Sequence, residues 1–272
     1  MARMGIPRPL FAIENKLTKI LKNYYLKLVK DIMTTFNEKI KTSGIMPAHL
    51  VADNEAEEGI KAFQNAEYKA LLSTAAYNLE DELWDEDIPD LELEHKLADI
   101  IMENRLDYEK KLFKDASPRM QLIMQAFSID KDKVYQKNLE QIEKLYLENA
   151  LARIHGTETL IKHKFIEIIN DYVTGKTKTL DIVEISKDLE SRSSHMARFF
   201  ARDQLARLNK ATTLATFHAA GVTKVKWITS HDVRVRDTHK ALDGRVFYIN
   251  QLPKELNDYN CRCGLVPVEW ED

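Results

Sequence analysis

Between Trp227 and Phe247 the sequence WITSHDVRVRDTHKALDGRVF gathers two histidines, three arginines, three aspartates and an Asp-Gly pair, and the pair Cys261-x-Cys263 follows it. Thiolates two residues apart can grip one Zn²⁺, and His231 and His239 are the nearest sources of imidazole nitrogen, so the metal-binding reading names Cys261, Cys263, His231 and His239. The other reading of the two cysteines is a pair of small residues that face a core from one strand. A Cys-x-Cys is a weaker signal than two Cys-x-x-Cys motifs.

His231, Asp232, Asp237 and His239 are also the raw material of a metal-dependent hydrolase or nuclease. No metalloprotease helix, nucleophile elbow or phosphate-binding loop accompanies them. The run GKT at 175–177 lacks the first glycine of such a loop, because position 170 is Asn170. Asp232 and Asp237 lie among arginines, where carboxylates pair and cap turns. Arg234 and Arg236 alternate around Val235, and on an extended segment they project to one side. Arg202, Asp203 and Asn209 lie on a helix with a wide apolar face, where a half-buried arginine needs a hydrogen-bonded partner. Together with Asp243 and Arg262 they form either an internal network or a contact for DNA or a protein partner.

The elements that must position these groups follow from periodicity. Ile13, Leu17, Leu21, Tyr24, Leu28 and Ile32 recur at steps of four or three, which predicts an amphipathic helix from Phe11 to about Lys41. Residues 48–85 carry Ala, Leu and Tyr at helical intervals, and a further helix spans Leu91 to Phe113. Helix formers dominate 119–172, with Gly156 as a break between two helices, and Val173–Thr179 reads as a linker. A long helix then runs to Ala220, with Met196, Phe199, Phe200, Leu205, Leu208, Leu214 and Phe217 on its apolar face and Gly221 at its C-terminal cap.

After Gly221 the pattern becomes β-rich. VTKVKWIT reads as a strand, RDTHKAL as a short helix, LDGRVFYI as a turn into a strand, and CRCGLVPV as a last strand carrying Cys261 and Cys263 on one face. Trp227 and Phe247 are expected to be buried. The fold class is therefore mainly α with a C-terminal α+β module: a helical body over 1–178, then a long helix packed on a small β-sheet over 179–272.

With 272 residues, 44% hydrophobic and 31% charged, the chain can bury a sizeable core. Two cysteines near the end argue against a disulfide-stapled secreted domain, and no apolar run is long enough for a membrane span. The net charge of −3 is unevenly spread: residues 191–262 hold 13 basic and 6 acidic side chains. That basic stretch suits phosphate or an acidic protein surface. Nine acidic residues crowd 79–94, either as a solvated helix end and turn or as an acidic docking patch.

The composite pattern from Ala201-Arg202-Asp203-Gln204 through Asn209, Gly221-Val222, Trp227, Arg234, Arg236, His239 and Leu242-Asp243-Gly244 to Asn260-Cys261-Arg262-Cys263 and Pro267 resembles the C-terminal domain of phage Mu-type minor head, or head-morphogenesis, proteins. The resemblance covers roughly 190–270. It implies a structural component of a tailed-phage virion, lodged in the capsid interior near the portal and made in the host cytoplasm. Its implied partners are the portal protein, the major capsid or scaffolding protein, and packaged DNA, with no membrane. It implies a role in head assembly and in DNA packaging or ejection, and no catalysis. The competing readings are a virion-carried nuclease or toxin-like effector, and a DNA-binding module using Arg234, Arg236, Arg245 and Arg262.

Overall fold

The computed structural model describes residues 11–42, 66, 68–75, 91–115, 118–126, 132–178 and 180–268. It is mostly helical, with one small antiparallel sheet near the C-terminus. The helices are α1 (Phe11–Thr42), α2 (68–75), α3 (Leu91–Asp115), α4 (Pro118–Ala126), α5 (Lys133–Val173) and α6 (Ile182–Ala219). Strand β1 (Lys224–Ile228), helix α7 (Asp237–Lys240), β2 (Val246–Tyr248), a 3-10 turn (Lys254–Asn257) and β3 (Gly264–Pro267) complete the order. Most of the acidic run, 79–90, lies outside the described residues, as does most of 48–85.

Helix α1 is buried along Ile13, Leu17, Leu21, Tyr25, Val29, Ile32 and Phe36, so Tyr25 and Val29 replace the expected Tyr24 and Leu28. Tyr24 and Leu28 are half-buried at the edge of this stripe, which takes its step of three later, between Val29 and Ile32. Helix α5 runs through Gly156 without the expected break. One glycine costs a helix only about 1 kcal/mol, which the packing of a 41-residue helix overrides. The chain leaves α5 through exposed residues 174–178, as the linker reading expected. The Asp181 carboxylate then accepts the Val183 and Glu184 backbone N–H groups at 2.9 and 3.0 Å, capping the start of α6. At the other end Gly221 takes φ 70°, the left-handed conformation its position requires.

The described chain forms two compact units. One draws on 21–90 and 153–197; there Phe36 and Phe165 meet edge-to-face at 5.0 Å, and Leu72, Ile161 and Leu189 are buried. The other draws on residues up to Ile20, on 91–152 and on 198 onward, and it contains the sheet. The sheet order is β2-β1-β3, with both pairings antiparallel. Strand β1 alternates, so Val225 and Trp227 point into the core while Lys224 and Lys226 point out.

That core joins Trp227, Val225, Leu265 and Phe217 to Leu112, Met124, Tyr135 and Leu139, which come from α3, α4 and α5. Trp227 is fully buried, and Phe247 is packed at the margin, half-buried. Phe199, expected on the apolar face of α6, is exposed, while its neighbour Phe200 is buried. One paired network lies within this unit: Arg105 donates to Glu143 at 2.7 Å and Glu109 at 3.0 Å, and the Tyr135 hydroxyl donates to Glu109 at 2.8 Å.

Candidate functional site

The C-terminal half of α6 offers polar side chains to the loop between β2 and β3. The buried Asp203 carboxylate accepts the Arg207 Nε–H at 3.0 Å and the Asn260 backbone N–H at 2.7 Å. One turn on, Arg207 donates to the Asn257 carbonyl at 2.8 Å and stacks over the Tyr259 ring at 4.9 Å. Lys210 donates to the Leu256 carbonyl at 2.9 Å. Three successive polar side chains on one face of α6 therefore hold residues 256–260 in place, and Asn260 takes φ 52° there.

Arg202, on another face of the helix, donates to Glu14 at 3.1 Å. Asn209 is buried and accepts from the Asn104 amide at 2.7 Å.

The segment after β1 is not the extended run that places Arg234 and Arg236 side by side. The Asp232 carboxylate accepts the Arg234 backbone N–H at 2.8 Å, and the Val235 N–H reaches the Asp232 carbonyl at 3.1 Å, which closes a turn. Arg234 is left exposed in that turn. Arg262 pairs with the far side of the Asp232 carboxylate. The Arg234 N–H first, and the Arg262 charge beside it, hold Asp232 below the usual carboxylate range. Arg236 precedes α7 and donates to the Tyr259 carbonyl at 2.8 Å. Asp243 accepts the Thr229 N–H at 2.7 Å, and Gly244 next to it takes φ 76° to complete the turn into β2.

His239, on the single turn of α7, is buried at the centre of these contacts. Its Nε2 lies 2.9 Å from an Asp258 carboxylate oxygen. Its Nδ1 lies 3.4 Å from Cys263 Sγ and 3.5 Å from Cys261 Sγ. The Trp227 ring packs edge-to-face on the imidazole at 5.5 Å. Both cysteines are free and buried. They precede β3 rather than belong to it, because the strand begins at Gly264, yet both sulfurs still turn toward His239.

A hydrogen bond from the Cys263 thiol pushes the Cys261 thiol down to about 5, helped by the Lys210 charge, and the same bond pushes Cys263 up. Asp258 is held below the ordinary carboxylate range, chiefly by its hydrogen bond with His239.

Of the four expected metal ligands, His239, Cys261 and Cys263 come together, their ligand atoms within 4.8 Å of one another. His231 does not join them. It takes φ 52°, stays largely exposed, and faces Asp243 at 3.7 Å and the Thr229 hydroxyl at 3.3 Å. Asp258 carried no signal in the sequence, since nothing in its spacing from His239 marks the two as partners.

The order of groups found here, from Asp203 through Trp227, His239 and Asp243 to Asn260 and the two cysteines, lies within a segment of known kind. Residues 167–266 match the family described as phage Mu protein F like. The phage Mu F-like segment takes in the end of α5, the linker, α6 and the sheet. An uncharacterized protein of Haemophilus influenzae (strain Rd) is 38% identical over 92 residues, which cover 32% of this chain. The chain spans about a fifth of that relative's own length, 21%. No solved structure matches. Among the described residues no helix is long and apolar enough to cross a membrane.

Proposed function

We propose that the protein is a structural minor head component of a tailed bacteriophage, held in the capsid interior near the portal vertex, where it supports head assembly and DNA packaging or ejection. The observation that carries this reading is the phage Mu F-like match over 167–266, the stretch that holds α6 and most of the sheet. Asp203, Arg207, Lys210, Arg236, Asp243 and Arg262 are each engaged with a backbone group or an opposite charge inside this region. Such an arrangement fixes loops; it fits scaffolding better than turnover, and we assign the protein no enzymatic activity.

The partners that follow are the portal protein, with the major capsid or scaffolding protein as neighbours. Packaged DNA is a further partner. Arg234 and Arg245 are exposed, and Lys224 and Lys226 lie on the outer face of β1, so cationic groups remain available to phosphate.

The test is to delete the coding sequence from the phage and to supply the chain in trans. The expected result is heads that are misassembled or fail to package or deliver DNA, together with recovery of the chain in purified virions at low copy beside the portal protein. Normal, infectious particles lacking the chain would overturn the reading. Arg234→Ala/Arg245→Ala is expected to weaken DNA binding and to flatten its salt dependence by about one to two counterions.

A further inference from the structure

The sulfurs of Cys261 and Cys263 and the Nδ1 of His239 converge on one point in the interior, and the opposite ring nitrogen of His239 is tied to Asp258. In a tetrahedral zinc site, with Zn–S about 2.3 Å and Zn–N about 2.0–2.1 Å, a sulfur and a nitrogen ligand stand about 3.6 Å apart. The corresponding separations here are 3.4 and 3.5 Å. These distances match ligands around one ion.

The partner of the ring supports the same conclusion. An imidazole that binds metal through one nitrogen characteristically gives its other N–H to a carboxylate, which fixes the tautomer and strengthens the ligand. Asp258 lies 2.9 Å from Nε2, so the tautomer that donates to this carboxylate presents the Nδ1 lone pair to the sulfurs. Asp258 is itself held by chemistry of its own, since its backbone N–H reaches the Glu255 carbonyl at the end of the 3-10 turn and Arg236 Nη1 approaches its carboxylate at 3.9 Å. Two thiolate-forming sulfurs and one imidazole select a borderline-soft ion such as zinc over magnesium or calcium, which prefer oxygen.

We propose that Cys261, Cys263 and His239 bind one zinc ion through Sγ, Sγ and Nδ1, with Asp258 holding the imidazole from behind and water as the fourth ligand. The ion joins α7 to the chain entering β3. The site is independent of the assembly role argued above: either can fail without the other.

The test uses the full chain, purified under reducing conditions without chelator, and measures its zinc content. About one zinc per chain is expected. After chelation, titration with Co²⁺ is expected to give the intense thiolate-to-cobalt band of a tetrahedral site. Cys261→Ser/Cys263→Ser is expected to lose both signals. Because changing two buried side chains can by itself impair folding, Asp258→Asn serves beside it: its side chain is 42% exposed, and the substitution is expected to preserve the fold while weakening metal affinity about 10–100-fold. A protein with reduced thiols that carries no zinc, or a cobalt spectrum without the thiolate band, would overturn the site. Unchanged affinity in Asp258→Asn would overturn the role given to that carboxylate.

Discussion

The Asp203 carboxylate, buried on α6, accepts the backbone N–H of Asn260 at 2.7 Å across 57 residues of sequence. The same carboxylate binds Arg207, so a single acidic side chain orients both its own helix surface and the loop that leads to Cys261. Replacing it by Ala leaves a buried N–H and a guanidinium without their acceptor. Asp203→Ala is expected to lose about 1–3 kcal/mol of stability, read by chemical or thermal denaturation. Asp203→Asn keeps an acceptor oxygen for Asn260 and is expected to lose less. Equal stability of Asp203→Ala and the parent would show that the loop is held by other contacts.

Gly156 sits inside a continuous helix, is exposed, and has no atom within 4 Å of the position an added Cβ would take. Its backbone gains nothing from being glycine. Gly156→Ala is therefore expected to raise stability by about 0.5–1 kcal/mol, measured as a higher denaturation midpoint with an unchanged slope. A loss of stability would mean that the helix bends or opens at this residue.

Burial pushes the Tyr25 phenol up to about 12, and it raises those of Tyr108 and Tyr135 as well. A folded pKa above the unfolded one means that the folded state holds its proton more tightly. Stability from this source is complete below the unfolded value near 10 and declines as pH rises through the folded value. For Tyr25 the decline between about pH 10 and pH 12 is on the order of 2–3 kcal/mol. Denaturation followed at fixed alkaline pH, with tyrosinate absorbance as the second signal, is expected to show a further rise in tyrosinate on unfolding, as the buried tyrosines reach solvent. Tyrosinate formation at full strength near pH 10 in the folded protein would contradict the burial.

Much of this arrangement was legible in the residues. The apolar periodicity of α6, the glycine after it and the β-rich run around Trp227 located the long helix and the sheet, because those signals are local. The errors came from interactions that compete with local pattern. Arg234 and Arg236 alternate like strand residues, but the Asp232 side chain captures the backbone two residues on and bends the segment into a turn. Cys261 and Cys263 share a direction as expected, though the chain becomes a strand only after them. His231 and His239 looked equivalent in the sequence. Only the short helix α7, which buries one ring beneath Trp227, separates them, and that depends on contacts across the fold.

The compact unit that contains the sheet also contains α1 up to Ile20, where Glu14 is paired with Arg202 across 188 residues. Residues before Ile20 therefore meet the second half of α6 only after the whole segment between them has been made. At roughly 5–20 residues per second, Glu14 waits on the order of ten to forty seconds for Arg202 to leave the ribosome. During that interval Glu14 lacks its partner, and closing so long a loop makes this step slow. The nascent chain is accordingly expected to depend on chaperones more than its finished stability would suggest, and its yield in a cell to respond to their supply.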